Sequence, residues 1–180
     1  MKRVNDMLSE GMNKAEIFKA MESRYLCSEE KCDIAYKTAI TQKPVLDELE
    51  KDSFSLYVSV PFCPTRCSYC SFVSQSIEGC MKLIPEYVNK LCEEIVYTAK
   101  ITEKLGLKLD TVYFGGGTPT TLTAAQLDRV MKVSANNFDM STVREYTVEA
   151  GRPDTITEEK LKVLKANGCG RVSINLSLIH

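Results

Sequence analysis

The sequence has little of what would commit it to a charged or membranous partner. Its 180 residues carry 23 basic and 24 acidic side chains, a formal net charge of −1 with the signs interspersed, so no field recruits nucleic acid or an anionic membrane surface. No run of about 18 apolar residues is present to span a bilayer. The start, MKRVNDMLSEGMNKAE, lacks the apolar stretch and small-residue cleavage site of a secretory signal, which makes the compartment cytoplasmic by expectation. Histidine is almost missing, since His180 is the only one, and no second, paired C-x-x-C exists. The closed four-ligand sets of structural zinc are therefore short of donors. With no export signal, the eight cysteines (27, 32, 63, 67, 70, 80, 92 and 169) read as reduced thiols or metal thiolates rather than disulfides.

What is present is an ordinary core-forming composition, 44% hydrophobic and 26% charged, enough for one domain with a small appendage. Residues 1–52 read as a helical segment without a strand signal. Asn13 and Glu16 form a capping box for a helix through Ile17, Met21 and Leu26; Ser28, Glu29 and Glu30 open a second helix, which Pro44 is expected to end or kink. From Ser55 short apolar runs alternate with amphipathic helices. Leu56 to Val60, Leu109 to Phe114, Glu145 to Glu149 and Arg171 to Asn175 read as strands, the second halted by Gly115, Gly116 and Gly117. Pro85 sits in the first turn of one intervening helix, Thr123 with Gln126 caps the next, and Thr157 caps the third, which stops at Gly168. This order predicts an α/β fold with a parallel sheet and right-handed crossovers. Sites in such sheets form at the carboxyl ends of strands, so the cysteine loop, the glycine triplet and Glu149 are expected on one rim.

The loop spacing, Cys63, Cys67 and Cys70, puts three thiols within reach of three corners of a cubane iron-sulfur cluster. The usual complement is four thiolates, so three leave one iron open to a ligand. Two blander readings are a zinc site, with Cys80 as a remote fourth ligand, and inert thiols. Cys92 and Cys169 read as small buried hydrophobes, and Cys27, Cys32 and Cys80 have no ligand spacing with a partner. A glycine triplet alone is an equivocal signal, equally a strand-to-loop turn closed by Pro119. A lone Glu149 at a strand end is more often a solvated group.

CPTRCSYC resembles the C-x3-C-x-aromatic-C signature of the radical S-adenosylmethionine (SAM) superfamily. The resemblance implies a [4Fe-4S] cluster on Cys63, Cys67 and Cys70 whose open iron chelates the methionyl part of S-adenosyl-L-methionine. It further implies one-electron cleavage of that cofactor to a 5′-deoxyadenosyl radical that abstracts hydrogen from substrate. Tyr69 matches a position near the adenine. FGGGTPT resembles the superfamily's glycine-rich motif, so that Gly115, Gly116, Gly117 and Thr118 would contact the cofactor. Glu149, in EAGRPDTIT, matches a glutamate that accepts a hydrogen bond from it. Tyr57 matches an aromatic position near the site, although an inward barrel tyrosine would serve as well.

LYVSVPFCPTRCSYCSFVSQSI together with these motifs resembles the anaerobic coproporphyrinogen III oxidase/dehydrogenase group of heme biosynthesis, in its HemZ-like branch. The reaction implied is oxidative decarboxylation of porphyrinogen propionates, with an electron donor such as flavodoxin or ferredoxin and no nucleic-acid or membrane partner. Two positions depart: Phe72 stands where dehydrogenases carry a further cysteine, as it does in heme-chaperone relatives, and Ser59 stands where many members carry histidine. A heme-binding chaperone-like relative without dehydrogenase activity is the alternative. The fold implied is a partial (β/α) barrel with about four of six strands, residues 53–180 forming the N-terminal part of the core. RVSIN runs into LSLIH instead of continuing as in relatives, so the chain is expected to be a fragment, poorly soluble or inactive alone.

Overall fold

In the computed structural model, residues 2–72 and 75–174 are described. The chain divides into two compact units, Met1–Lys51 and Asp52–His180. The first is three helices: α1 (Lys2–Ser9), α2 (Lys14–Tyr25) and α3 (Glu29–Asp47). They enclose a small core of Val4, Met7, Ile17, Met21, Cys32 and Ala39. The capping box at α2 is formed in both directions, Glu16 N–H to Asn13 Oδ1 at 3.1 Å and Asn13 N–H to Glu16 Oε2 at 2.8 Å.

Pro44 does not end α3, which runs on to Asp47. Proline removes one donor but holds φ near the helical value. Here only the last turn lies beyond it, and the Lys43 to Asp47 ion pair, 2.8 Å, spans that turn.

The second unit contains β1 (Ser53–Val60), β2 (Phe62–Cys63), β3 (Gln75–Ser76), α4 (Ile77–Cys80), α5 (Ile84–Lys104), β4 (Lys108–Gly116), α6 (Ala124–Asn137), β5 (Glu145–Glu149), α7 (Glu158–Ala166) and β6 (Arg171–Ser173). Four strands form a parallel sheet in the order β1, β4, β5, β6. The α/β architecture with a parallel sheet thus follows the sequence reading. β4 is longer than expected: Gly115 and Gly116 do not halt it but pair with Ser59 and Val60 of β1. A backbone ladder does not need side chains, so glycines can continue one. Position 175 of the fourth expected strand lies outside the described residues.

Side chains alternate across the sheet because the strand repeat is two residues. Leu56, Val58 and Val60 of β1, Val112 and Phe114 of β4, and Tyr146 and Val148 of β5 point to one face. There they join Val88, Leu91 and Ile95 of α5, Leu127, Val130 and Met131 of α6, and Leu164 of α7 in one core. The other face carries Ser55, Tyr57, Ser59, Thr111, Tyr113, Glu145, Thr147, Glu149 and Arg171. The helix ends are built as the sequence indicates. Thr123 and Gln126 cap α6 reciprocally, Thr157 accepts from Lys160 N–H at α7, and Gly168 takes φ +81° just after α7.

Candidate cluster and cofactor site

Three segments meet at the carboxyl end of the sheet. The cysteine loop leaves β1 through Pro61 and passes through β2, which pairs in parallel with β3 on the loop's return, Phe62 with Gln75 and Cys63 with Ser76. Gln75 N–H also donates to the Pro61 carbonyl at 2.8 Å. Phe62 is buried edge-on against Tyr87 of α5, ring centroids 5.1 Å apart, and the Tyr87 hydroxyl donates to the Ser59 carbonyl at 2.7 Å. This short ladder had no signal in the sequence, because two residues are too few to show a period.

The glycine segment folds back onto the start of the loop. Gly117 N–H donates to the Val60 carbonyl and Thr118 N–H to the Phe62 carbonyl, both at 2.8 Å. A Cβ on Gly117 would lie 2.7 Å from the Phe62 carbonyl oxygen and 3.0 Å from Cys63 Sγ, so no side chain fits there. Thr118 is buried, its Oγ1 3.4 Å from Cys63 Sγ. Gly116 has φ +106°, and a Cβ on it would meet Ser59 Oγ at 2.8 Å.

Gly115 has a different role. A Cβ there would meet the Tyr57 hydroxyl and the Tyr113 ring at 2.8 Å, and Glu149 Oε2 at 3.2 Å. Its missing side chain therefore lets three polar groups converge. Tyr57 and Tyr113 are register partners on β1 and β4 and stack with centroids 5.7 Å apart and ring planes 9° from parallel. The Tyr113 hydroxyl donates to Glu149 Oε1 at 2.6 Å. That bond, with desolvation second, pushes the Tyr113 phenol up to about 12. Tyr57 is also raised, first by desolvation and then by the Glu149 charge. Tyr113 was not singled out in the sequence, although its even spacing from Thr111 already put it on the face of Gly115.

Cys63, Gly117 and Thr118 thus form one cluster of contacts, and Tyr57, Gly115 and Glu149 another beside it. Cys67 and Cys70 lie further along the loop, joined by a turn in which Cys70 N–H donates to the Cys67 carbonyl at 3.1 Å. Tyr69 between them is 63% exposed. All eight cysteines are thiols rather than disulfides. Among the described residues no three His, Cys, Asp or Glu side chains converge as a set for one metal ion. Three thiols on one loop suit a polynuclear cluster, whose ligands stand on separate irons and so further apart. The donor set and the side-chain-free backbone beside Cys63 both fit that group.

The remaining five thiols are accounted for by packing, Cys27 lying partly buried against the core of the helical unit. Cys32 and Cys92 are buried, and burial raises both thiols. Cys169 packs against the core and is raised by the same cause. The buried Cys80 thiol donates to the Ser76 carbonyl at 2.7 Å.

No helix among the described residues is long and apolar enough to cross a membrane. Comparison with known proteins places these motifs. The radical SAM superfamily matches residues 57–177. The oxygen-independent coproporphyrinogen-III oxidase-like protein HemZ of Bacillus subtilis (strain 168) is 37% identical over 177 residues, covering 97% of this chain and 35% of its own length. The heme chaperone HemW of the same organism is 38% identical over 126 residues, covering 68% of this chain and 31% of its own. The oxygen-independent coproporphyrinogen III oxidase of Escherichia coli (strain K12) is 33% identical over 129 residues, covering 68% and 26%. Among solved structures, coproporphyrinogen III oxidase (HemN) from Escherichia coli, described as a radical SAM enzyme, superposes with a TM-score of 0.60 at 32% identity over 71% of this chain and 28% of that one. The chain spans about a third of the length of the curated relatives it matches. Its fold and its motifs agree in one assignment: this chain belongs to the radical SAM superfamily.

Proposed function

We propose that Cys63, Cys67 and Cys70 hold a [4Fe-4S] cluster and that the adjacent rim holds S-adenosyl-L-methionine, as part of a coproporphyrinogen dehydrogenase-like oxidoreductase. The observation that carries this reading is the junction at Cys63, whose Sγ lies 3.4 Å from Thr118 Oγ1 and 3.0 Å from where a Gly117 Cβ would be. When bound, the two groups supply one-electron chemistry that yields a radical at the cofactor's 5′ carbon. Gly116 and Gly117 let the strand end pack directly on Ser59, Val60, Phe62 and Cys63, which brings their backbone beside the first thiol, where the cofactor would contact it. Glu149, held by the Tyr113 hydroxyl at 2.6 Å, is placed to accept hydrogen bonds from the cofactor's polar groups. Tyr57 and Tyr69, both more than half exposed, offer ring faces. The substrate proposed is a porphyrinogen whose propionates each lose a hydrogen atom to the cofactor-derived radical, then carbon dioxide, and one electron to an external one-electron acceptor, with a flavodoxin or ferredoxin as the electron donor for cofactor cleavage.

Anaerobic reconstitution with iron and sulfide tests the cluster. The expected result is iron and acid-labile sulfide in equal amounts, near four of each per chain, and strong loss of both in Cys63→Ala, Cys67→Ala and Cys70→Ala. Zinc without sulfide overturns the reading. One observation favours a second reading, heme carriage: Phe72, in place of a further cysteine, is exposed just after the last thiol. Heme binding without conversion of porphyrinogen by the protein would select it.

A further inference from the structure

Arg152 stands just past Glu149, between Gly151 and Pro153, and had no role in the sequence reading. Its guanidinium reaches the cysteine loop: Nη1 donates to Thr65 Oγ1 at 2.9 Å and to the Thr65 carbonyl at 3.3 Å, a contact spanning 87 residues of chain. Thr65 lies between the first and second cysteine. Nη2 is held at 3.3 Å by Asp154 Oδ2, and the arginine side chain is only 20% exposed.

A long side chain steadies a loop only if its own root is fixed. Here it is. The Arg152 carbonyl accepts from Thr155 N–H at 3.0 Å and from Thr155 Oγ1 at 2.7 Å. Thr155 Oγ1 lies 2.6 Å from Thr120 Oγ1, a buried contact with the segment that follows the glycines. Lys160 Nζ donates to the Thr120 carbonyl at 2.6 Å and the Thr155 carbonyl at 2.9 Å, binding the same two turns together. Desolvation lowers that lysine from its ordinary value, because burial disfavours the charged ammonium. The hydrogen bonds run in series from the glycine segment through Thr120, Thr155 and Arg152 to Thr65.

We propose that Arg152 is a positioning residue: it ties the Cys63 to Cys67 stretch to the strand end that carries Glu149, setting the distance between thiols and carboxylate. This rests on reading that stretch as the cluster loop. Nη1 serves both Thr65 acceptors while Nη2 of the same planar group is anchored on Asp154, a divided geometry that a lysine ammonium, with one nitrogen, reproduces less well.

Arg66, exposed and next to Thr65, makes the loop a trypsin site, so the tie can be read in the apo chain. Cleavage after Lys100 in α5 serves as the internal reference for global unfolding. Arg152→Ala is expected to speed cleavage after Arg66 about fivefold, with Lys100 unchanged, and Arg152→Lys to recover part of the protection. Thr65→Val removes one acceptor and leaves the carbonyl, so its effect is about twofold; combined with Arg152→Ala it adds nothing further, because the partners are coupled. Unchanged cleavage after Arg66, additive effects, or a joint rise at Arg66 and Lys100 would each overturn the proposal. In the reconstituted protein, Arg152→Ala is further expected to lose iron to a chelator severalfold faster than the parent. A parent chain that takes up no cluster would sink the function proposed above, while the proteolysis would still decide on the tie.

Discussion

The two faces of the four-stranded sheet come from the same strands and differ in almost everything else. On the helix side, Val58, Val60, Val112, Phe114 and Val148 are fully or nearly fully buried and carry no polar side-chain atom. On the open side the same strands carry Ser55, Tyr57, Thr111, Tyr113 and Glu149, linked by hydrogen bonds such as Thr111 Oγ1 to Ser55 Oγ at 2.8 Å. One face is the source of stability, at about 1.5–3 kcal/mol for each large apolar side chain buried. The other is where ligand-directed groups can stand without disturbing packing. A period of two residues lets both duties be written even into the five residues of β5.

The comparison can be broken hardest from the dry side. Phe114→Ala is expected to cost about 3–5 kcal/mol through lost burial and the cavity left behind, read as a drop in denaturant midpoint. An effect below 1 kcal/mol would mean that the helix face is not the main source of stability. At the junction of strand and loop, Gly117→Ala forces a methyl to within 2.7 Å of the Phe62 carbonyl oxygen. It is expected to cost about 1–3 kcal/mol and to reduce iron and sulfide uptake by much more than a comparable change at Gly79, where a Cβ would meet nothing within 4 Å.

The smallest stability effect belongs to the open face. Tyr113→Phe removes the hydrogen bond to Glu149 and should change stability by no more than about 1 kcal/mol, while weakening cofactor binding measured by titration. Tyr113 also predicts an alkaline limit. Its folded-state value, about 12, lies above the ordinary 10, so its contribution is fully present below about pH 10 and is lost as pH rises toward 12. Tyr113→Phe should blunt that part of the alkaline decline in stability. An identical decline in the variant would show that the phenol is not its source.

Much of this arrangement is legible in the chain because it follows from local rules. Asn13 with Glu16 and Thr123 with Gln126 announce helix starts through reciprocal hydrogen bonds that involve only neighbours in sequence. β5 is legible end to end, because tyrosine, threonine and valine alternate between faces without interruption. The glycines misled, since a residue that usually stops a strand continued one where only backbone pairing was required. Pro44 does not end α3 for the reverse reason: a single missing donor near a helix end breaks too little to stop it. At the site, the cysteine spacing and the glycine run could be read directly, and the rim convergence of Cys63 with Thr118 followed from strand order. Arg152 could not. Its partner, Thr65, lies 87 residues away, and nothing local marks an arginine that will reach across a sheet edge.

The two-residue ladder between β2 and β3 has a consequence for how metal could be taken up. Its bonds, with that from Gln75 to the Pro61 carbonyl at 2.8 Å, knot the neck of the loop using main-chain groups that no thiol supplies. Closing a loop of roughly a dozen residues costs on the order of 2 kcal/mol in chain entropy. That term is met by the polypeptide and not by the ligands. Thiolate affinity is then spent on iron instead of on gathering chain, and the neck behaves like a drawn purse string: lengthening the bag between Cys70 and Gln75 should be tolerated far better than any cut to the string.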